Sequence, residues 1–219
     1  EEAALSNYQQ DRLGRIRDSG QQLLDMINSL LDLSRMEAGK MQLYFTEFAP
    51  REVAEEVLNL LEPLMHRKHL KSQLVVQGRI FTCRLDRDKL RQMLINLLGN
   101  AMKFTPQGGT VWLYGSRVPG GGMTITVQDN GVGMTAEQQQ VALTAFGQAD
   151  NRIRRDNEGS GLGLPIVKSL VELHGGSLGI DSEPGRGTRV TILVPPDRLL
   201  SAAEDASPSE LRQALPSAG

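Results

Sequence analysis

From Tyr8 to Ala38, Leu13, Ile16, Leu23, Ile27 and Leu30 recur at alternating spacings of three and four, with Gly20 and Ser34 completing the run. This heptad seam predicts a helix about 45 Å long at 1.5 Å per residue. Leu24 and Leu31 widen the seam, so the helix needs partner helices, and Gly39 stands where a C-terminal cap belongs. The alternation in KMQLYFTEF, residues 40–48, predicts a strand, and Pro50 opens a second helix with Val53, Val57, Leu60, Leu61 and Leu64 on one side. Two short strands follow over 72–77 and 79–84. Asp86 is then the N-cap of a helix whose buried stripe is Leu90, Met93, Leu94, Leu97, Leu98 and Ala101. TVWLYGSRV and MTITVQD form a hairpin through PGGG. Between Asn130 and Glu158 lies a polar stretch with one short helix, Ala136 to Ala145. GLGLPIVKSLVELHGG predicts a helix with Pro165 in its first turn and Gly175 past its end, before strands near 177–182 and 188–194.

Composition narrows the class. The 219 residues, 39% of them hydrophobic, suffice for one domain and a smaller element. A formal net charge of −2 spread over 24 basic and 26 acidic residues creates no field that would draw nucleic acid or anionic lipid, so no nucleic-acid partner is expected. Cys83 is the only cysteine, which excludes an internal disulfide and fits a reducing, cytoplasmic compartment. No apolar run approaches the roughly 20 residues of a membrane span, so no membrane contact is expected here. The first residue is Glu1, and the expectation is a fragment of a longer protein whose parent can still be membrane-anchored. The Ala, Ser and Pro-rich tail is expected not to fold.

Four features carry chemistry. Asn96, Asn100 and Lys103 stand at i, i+4 and i+7 beside the buried stripe, where amide oxygens can ligate a hard cation and the ammonium can meet phosphate. The same face also fits a helix whose polar side meets solvent. DNGVGM, Asp129 to Met134, puts a carboxylate at a strand end before two glycines, which suits a flat ligand with an amino group and equally suits a tight turn. GSGLGL, with Gly159, Gly161 and Gly163, leads into a helix terminus able to bind an anion, although a flexible loop has the same composition. GRGT, Gly185 to Thr188, reads alone as a hairpin turn.

In this order the features resemble the N, G1, G2 and G3 boxes of the ATP-binding domain of sensor histidine kinases, with AFGQAD as the F box, within the superfamily of gyrase-type, MutL-type and chaperone-type ATPases. The resemblance covers about residues 45–196, and LLDMINSLLDLSRMEAGKMQL resembles the second helix of the family's dimerisation and phosphotransfer hairpin. It implies an α+β fold, a two-layer α/β sandwich of the Bergerat type with a mixed sheet covered by helices. The implied organisation is a partial dimerisation helix at 1–40, an ATP-binding domain at 41–198 and a tail or linker at 199–219. The implied cofactors are ATP and Mg²⁺. By the same resemblance Asn100 would bind Mg²⁺, and Asn96 and Lys103 would support metal and phosphates. Asp129 would hold the adenine amino group, Gly131 and Gly133 would shape the adenine pocket, and Thr188 would lie near Asp129. Gly159, Gly161, Leu162 and Gly163 would line the phosphates. Residues 135–158 would form the ATP lid, packed down by Phe146, with Arg152, Arg154 and Arg155 as candidates for the γ-phosphate.

The chain departs from the family at the phosphoacceptor. Neither His66 nor His69 nor His174 sits in the family's motif; the first two read as surface residues, and His174 as a partly positive group in the last turn of its helix. The family implies a missing upstream helix carrying that histidine, a response-regulator receiver domain as partner, and a homodimer through the N-terminal helix. An ATPase clamp and a nucleotide-sensing module without transfer are the rival readings.

Overall fold

The computed structural model describes residues 6–77, 82–147 and 161–200. Helix α1, Asn7–Glu37, starts at a capping box in which Ser6 and Gln9 satisfy each other's backbone amides. It ends in a Schellman turn: Gly39, at φ 63°, donates to Met36 O at 3.0 Å, and Lys40 to Arg35 O at 2.9 Å. Leu13, Ile16, Leu23, Ile27 and Leu30 of the seam remain 46–68% exposed. Its last turns are covered, where Leu33 and Met36 join the core and α1 meets the last long helix.

Strand β1 is Phe45–Phe48, shorter than the expected 40–48 because the N–H of Tyr44 is taken by the Asp86 carboxylate at 2.9 Å and not by a ladder partner. Helix α2, Pro50–Arg67, buries Val53, Val57, Leu61 and Met65, a row at i, i+4 spacing. Leu60 and Leu64, expected on that side, are 50% and 40% exposed, so the buried face is rotated from the expected one. Strands β2, Lys71–Gln77, and β3, Thr82–Asp86, lead to helix α3, Arg87–Phe104, and then to the hairpin of β4, Thr110–Arg117, and β5, Met123–Asp129. After α4, Ala136–Ala142, come α5, Gly163–Leu173, β6, Ser177–Glu183, and β7, Gly187–Val194.

The five-stranded sheet has the order β2-β4-β5-β7-β6, parallel between β2 and β4 and antiparallel elsewhere. Inward positions Val111, Leu113, Ile125, Val127, Val190 and Ile192 are buried beneath the helices, while Trp112, Tyr114, Gln128 and Arg189 alternate with them on the open face. This is the expected two-layer arrangement. A small second sheet, not foreseen, joins β1, β3 and β8, Leu199–Leu200. Leu199 pairs with Cys83 and Leu200 with Thr82, so two residues assigned to the tail belong to the folded part; Ser201 to Gly219 lie outside the described residues. Among the described residues no helix is long and apolar enough to cross a membrane.

The two helices that matter most, α3 and α5, are tied at one end by Asp86 and His174. Asp86 Oδ1 caps α3 by accepting from Lys89 N–H at 3.0 Å, and its own N–H donates to His174 Nε2 at 3.1 Å. His174, only 3% exposed, bonds Leu170 O through Nδ1 at 2.7 Å, so the ring is the neutral Nδ1–H tautomer. This corrects the expectation of a partly positive histidine. Burial holds its pKa below the usual 6.5, with nearby Arg198 acting the same way and the Leu170 carbonyl and Asp86 opposing. Folded His174 therefore takes its proton at lower pH than the unfolded chain does, and stability falls as pH drops below about 6.5. Denaturant titrations at pH 7.5 and 5.5 should show a loss at the lower pH that His174→Gln removes. The same loss in both proteins would assign the slope to carboxylates.

A candidate nucleotide cleft

The buried stripe of α3 leaves Asn96 and Asn100 half-buried at its edge. A Cβ placed on Gly163, the first residue of α5, would lie 3.7 Å from Asn100 Nδ2 and 3.9 Å from Cβ and Cγ of Asn96. The amide ladder thus faces the N-terminus of a neighbouring helix and not bulk water. No side chain caps α5, whose leading amides and dipole favour an anion. Among the described residues neither asparagine side chain has a hydrogen-bond partner.

At the end of β5, Asp129 is 6% exposed. Its carboxylate accepts from Gly131 N–H at 2.8 Å and from the backbone N–H of Thr188. Burial raises its pKa above the usual 3.8, and those two bonds hold it down. The loop beyond it lies on the last turn of α3: Val132 N–H donates to Phe104 O at 3.2 Å, and a Cβ on Gly131 would approach the same oxygen to 2.5 Å. The GRGT turn docks on this loop from the other side, with Gly185 N–H donating to Val132 O at 2.7 Å. Ser182 fastens the two together. Its Oγ accepts from Met134 N–H at 2.8 Å, donates to Gly187 O at 2.9 Å and lies 2.9 Å from Thr188 Oγ1. The motifs, far apart in sequence, therefore meet along one stretch of α3: Gly163 stands against Asn96 and Asn100, and the DNGVGM loop, with the GRGT turn docked on it, lies on Phe104 O.

Lys103 brings a cation to it. Its ammonium lies 4.8 Å from the Phe104 ring, burial lowers its pKa, and among the described residues it has no ion pair.

Phe146 is 57% exposed at φ 61°, its backbone lies 3.2 Å from where a Gly161 Cβ would be, and residues 148–158 of the lid it is expected to pack down lie outside the described residues. The side chain of Leu162 is 0% exposed and belongs to the core. Helix α4 stops at Ala142, three residues earlier than expected, where the chain turns through Thr144 and Gly147. Gly159, Arg152, Arg154 and Arg155 lie outside the described residues. Sequence reasoning missed Ser182, which sits in an unremarkable alternating strand. It also missed the second role of Asn130, whose Oδ1 accepts from Thr110 N–H at 2.8 Å and ties the DNGVGM loop to β4.

Residues 85–198 match the family described as histidine kinase-, DNA gyrase B-, and HSP90-like ATPase. The circadian input-output histidine kinase CikA of Synechococcus elongatus is 40% identical over 202 residues, 91% of this chain and 27% of that protein. The sensor protein GacS of Pseudomonas syringae is 38% identical over 213 residues, 95% of this chain and 23% of its own. Full-length ShkA, solved in complex with AMPPNP, superposes with a TM-score of 0.76 at 31% identity, covering 88% of this chain and 40% of that one. The catalytic domain of histidine kinase ThkA shares the fold, with a TM-score of 0.62 at 23% identity over 70% of this chain and 97% of its own. The chain spans about a quarter of the length of these curated relatives.

Proposed function

The chain belongs to the histidine kinase-, DNA gyrase B-, and HSP90-like ATPase family, and from that premise we propose that it is the ATP-binding catalytic part of a sensor histidine kinase, passing the γ-phosphoryl of Mg-ATP to a histidine and then to an aspartate on a response-regulator receiver domain. The observation that carries this is the placement of two amides, Asn96 and Asn100, without a partner among the described residues, against the N-terminus of α5. Nothing in a solvent-facing helix requires that placement.

In this reading Asp129 accepts from the adenine amino group and Gly131, Gly133 and Thr188 frame the ring. Gly161 and Gly163 present backbone to the phosphates, with Gly159 and the Leu162 backbone continuing the cradle. Lys103 and one of Arg152, Arg154 and Arg155 meet the phosphate charge, and Asn96 supports the metal and phosphates beside Asn100. The donor set fits Mg²⁺: Asn100 offers a hard amide oxygen. Among the described residues no group of three His, Cys, Asp or Glu could hold a metal, so the ion, when bound, would be held by Asn100 together with phosphate oxygens and waters. The ion's contribution, when bound, is to neutralise charge on the phosphates. Catalysis by the protein is then positioning and electrostatics.

None of the chain's own histidines sits in the acceptor motif of the histidine kinases that the chain resembles. Both ring nitrogens of His174 are engaged inside the core, His66 lies beside Glu62 at 3.7 Å, and His69 sits in the left-handed turn after α2. The acceptor is assigned to a helix preceding α1, and a second copy of the chain to the exposed seam of α1. Similarity to histidine kinases over nearly the whole chain, α1 included, favours this over an ATPase clamp.

The test is a chain extended upstream by its natural sequence and incubated with γ-labelled ATP. Acid-labile, base-stable phosphate is expected on the protein, and Asn100→Asp should reduce it at least about 100-fold, since it replaces a neutral ligand by a charge beside the phosphates. Label released only as inorganic phosphate would favour the clamp.

A further inference from the structure

The last four carbonyls of a helix have no partner within it and carry the negative end of its dipole. The natural group to satisfy them is a cation in the helix's own last turn, and α3 has one, Lys103. Lys103 is not so used. Ala101 O accepts from the backbone N–H of Thr105 at 3.0 Å and from its Oγ1 at 2.6 Å. Phe104 O accepts from Val132 N–H. The two between them, Met102 O and Lys103 O, accept from Lys68 Nζ at 2.6 and 2.9 Å.

Lys68 comes from another element, as the residue immediately after α2. Its backbone is anchored, because the turn it begins is bonded to the loop after α3: His69 O accepts from Gly108 N–H at 3.2 Å, and Gly109 O from Lys71 N–H at 2.9 Å. With all four carbonyls occupied, the Lys103 ammonium has no helix end to fold back upon. It is left over the Phe104 ring, on the face that also carries Asn96 and Asn100.

We propose that Lys68 is a positioning residue for nucleotide binding: by capping the C-terminus of α3 it keeps Lys103 free for the phosphates. The proposal rests on the nucleotide reading above, in which Lys103 meets phosphate. Burial lowers the pKa of both lysines, the condition under which an arriving anion is favoured. If Lys68 is removed, the Lys103 ammonium should swing back to the vacated carbonyls. Phosphate then loses a charge-assisted partner while the adenine pocket is untouched.

The experiment is calorimetric titration of the chain with AMPPNP and with adenosine, in the wild type, Lys68→Met, Lys68→Arg, Lys103→Met and the double variant. Lys68→Met should weaken AMPPNP binding about tenfold, the scale of one charge-assisted contact, and leave adenosine binding unchanged. Lys68→Arg, whose guanidinium can still donate to two carbonyls, should restore AMPPNP affinity to within about threefold. In the Lys103→Met background the Lys68→Met effect should vanish, because no ammonium remains to be misdirected. Should Lys68→Met fail to fold, Lys68→Gln carries the same comparison. Unchanged AMPPNP affinity, an equal loss for adenosine, or full additivity with Lys103→Met would overturn the proposal alone. A wild-type chain that binds neither ligand would overturn the nucleotide reading and this inference with it.

Discussion

Asp129→Ala is expected to weaken ATP binding by about two orders of magnitude. In the proposed site the substitution removes a charge-assisted hydrogen bond to the adenine amino group, of about 1.5–3 kcal/mol or a factor of roughly 10 to 150. The backbone amides of Gly131 and Thr188 lose their common acceptor as well, at about 1–3 kcal/mol for each that stays buried and unpaired. The variant should therefore also be less stable, and the two effects need separating. Asp129→Asn does so. Its amide oxygen can still accept from Gly131, which preserves much of the fold, while its neutral head no longer offers the ligand an anionic acceptor. Calorimetry with ATP and denaturant titration on both variants would check this. ATP affinity within threefold of wild type in Asp129→Asn would show that the carboxylate holds the loop and not the base.

The second large effect is structural and lies at the contact between the glycine motifs. A Cβ on Gly187 would stand 2.0 Å from Asp129 O and 2.8 Å from Asn130 Cα, at a φ of 93°. The conformation alone costs an alanine about 1–2 kcal/mol, and the obstruction is backbone that cannot rotate away. Gly187→Ala should lose at least about 3 kcal/mol of unfolding free energy, among the larger single-site losses. Gly185, two residues earlier, is the control. It has φ 78° but open space around its Cβ position, so Gly185→Ala should lose only the conformational part, about 1 kcal/mol. Equal losses at the two sites would mean that backbone conformation, and not the approach of the GRGT turn to Asp129, is what these glycines serve. Gly133 belongs with Gly187, since its Cβ would meet Glu183 O at 1.9 Å.

Much of the fold was legible in the chain because its signals are local. The seam of α1, the Gly39 cap, Pro50 at the head of α2 and the Asp86 cap of α3 all stand where the residue types demanded. So do the β4–β5 hairpin and the α3 stripe. The errors have one cause. Leu60 and Leu64 fit an apolar helix face by spacing, yet the sheet is met by the Val53, Val57, Leu61, Met65 row. His174 seemed suited to a helix dipole until two partners from different elements fixed its neutral tautomer.

By itself the sequence determined which elements form and which chemical groups the candidate site offers. Periodicity, capping and turn residues act over a few positions, and an amide or carboxylate remains one wherever the chain carries it. Only the tertiary structure decided which of those groups are already engaged. Lys68 and Lys103 are both lysines near a helix end; one is committed to two carbonyls of α3, and the other is left unpaired among the described residues. Asn96 and Asn100 could have faced water until α5 was brought against them. A hydrogen-bonding group is available to a ligand only if no nearer partner takes it, and that partner comes from wherever the fold brings the chain together.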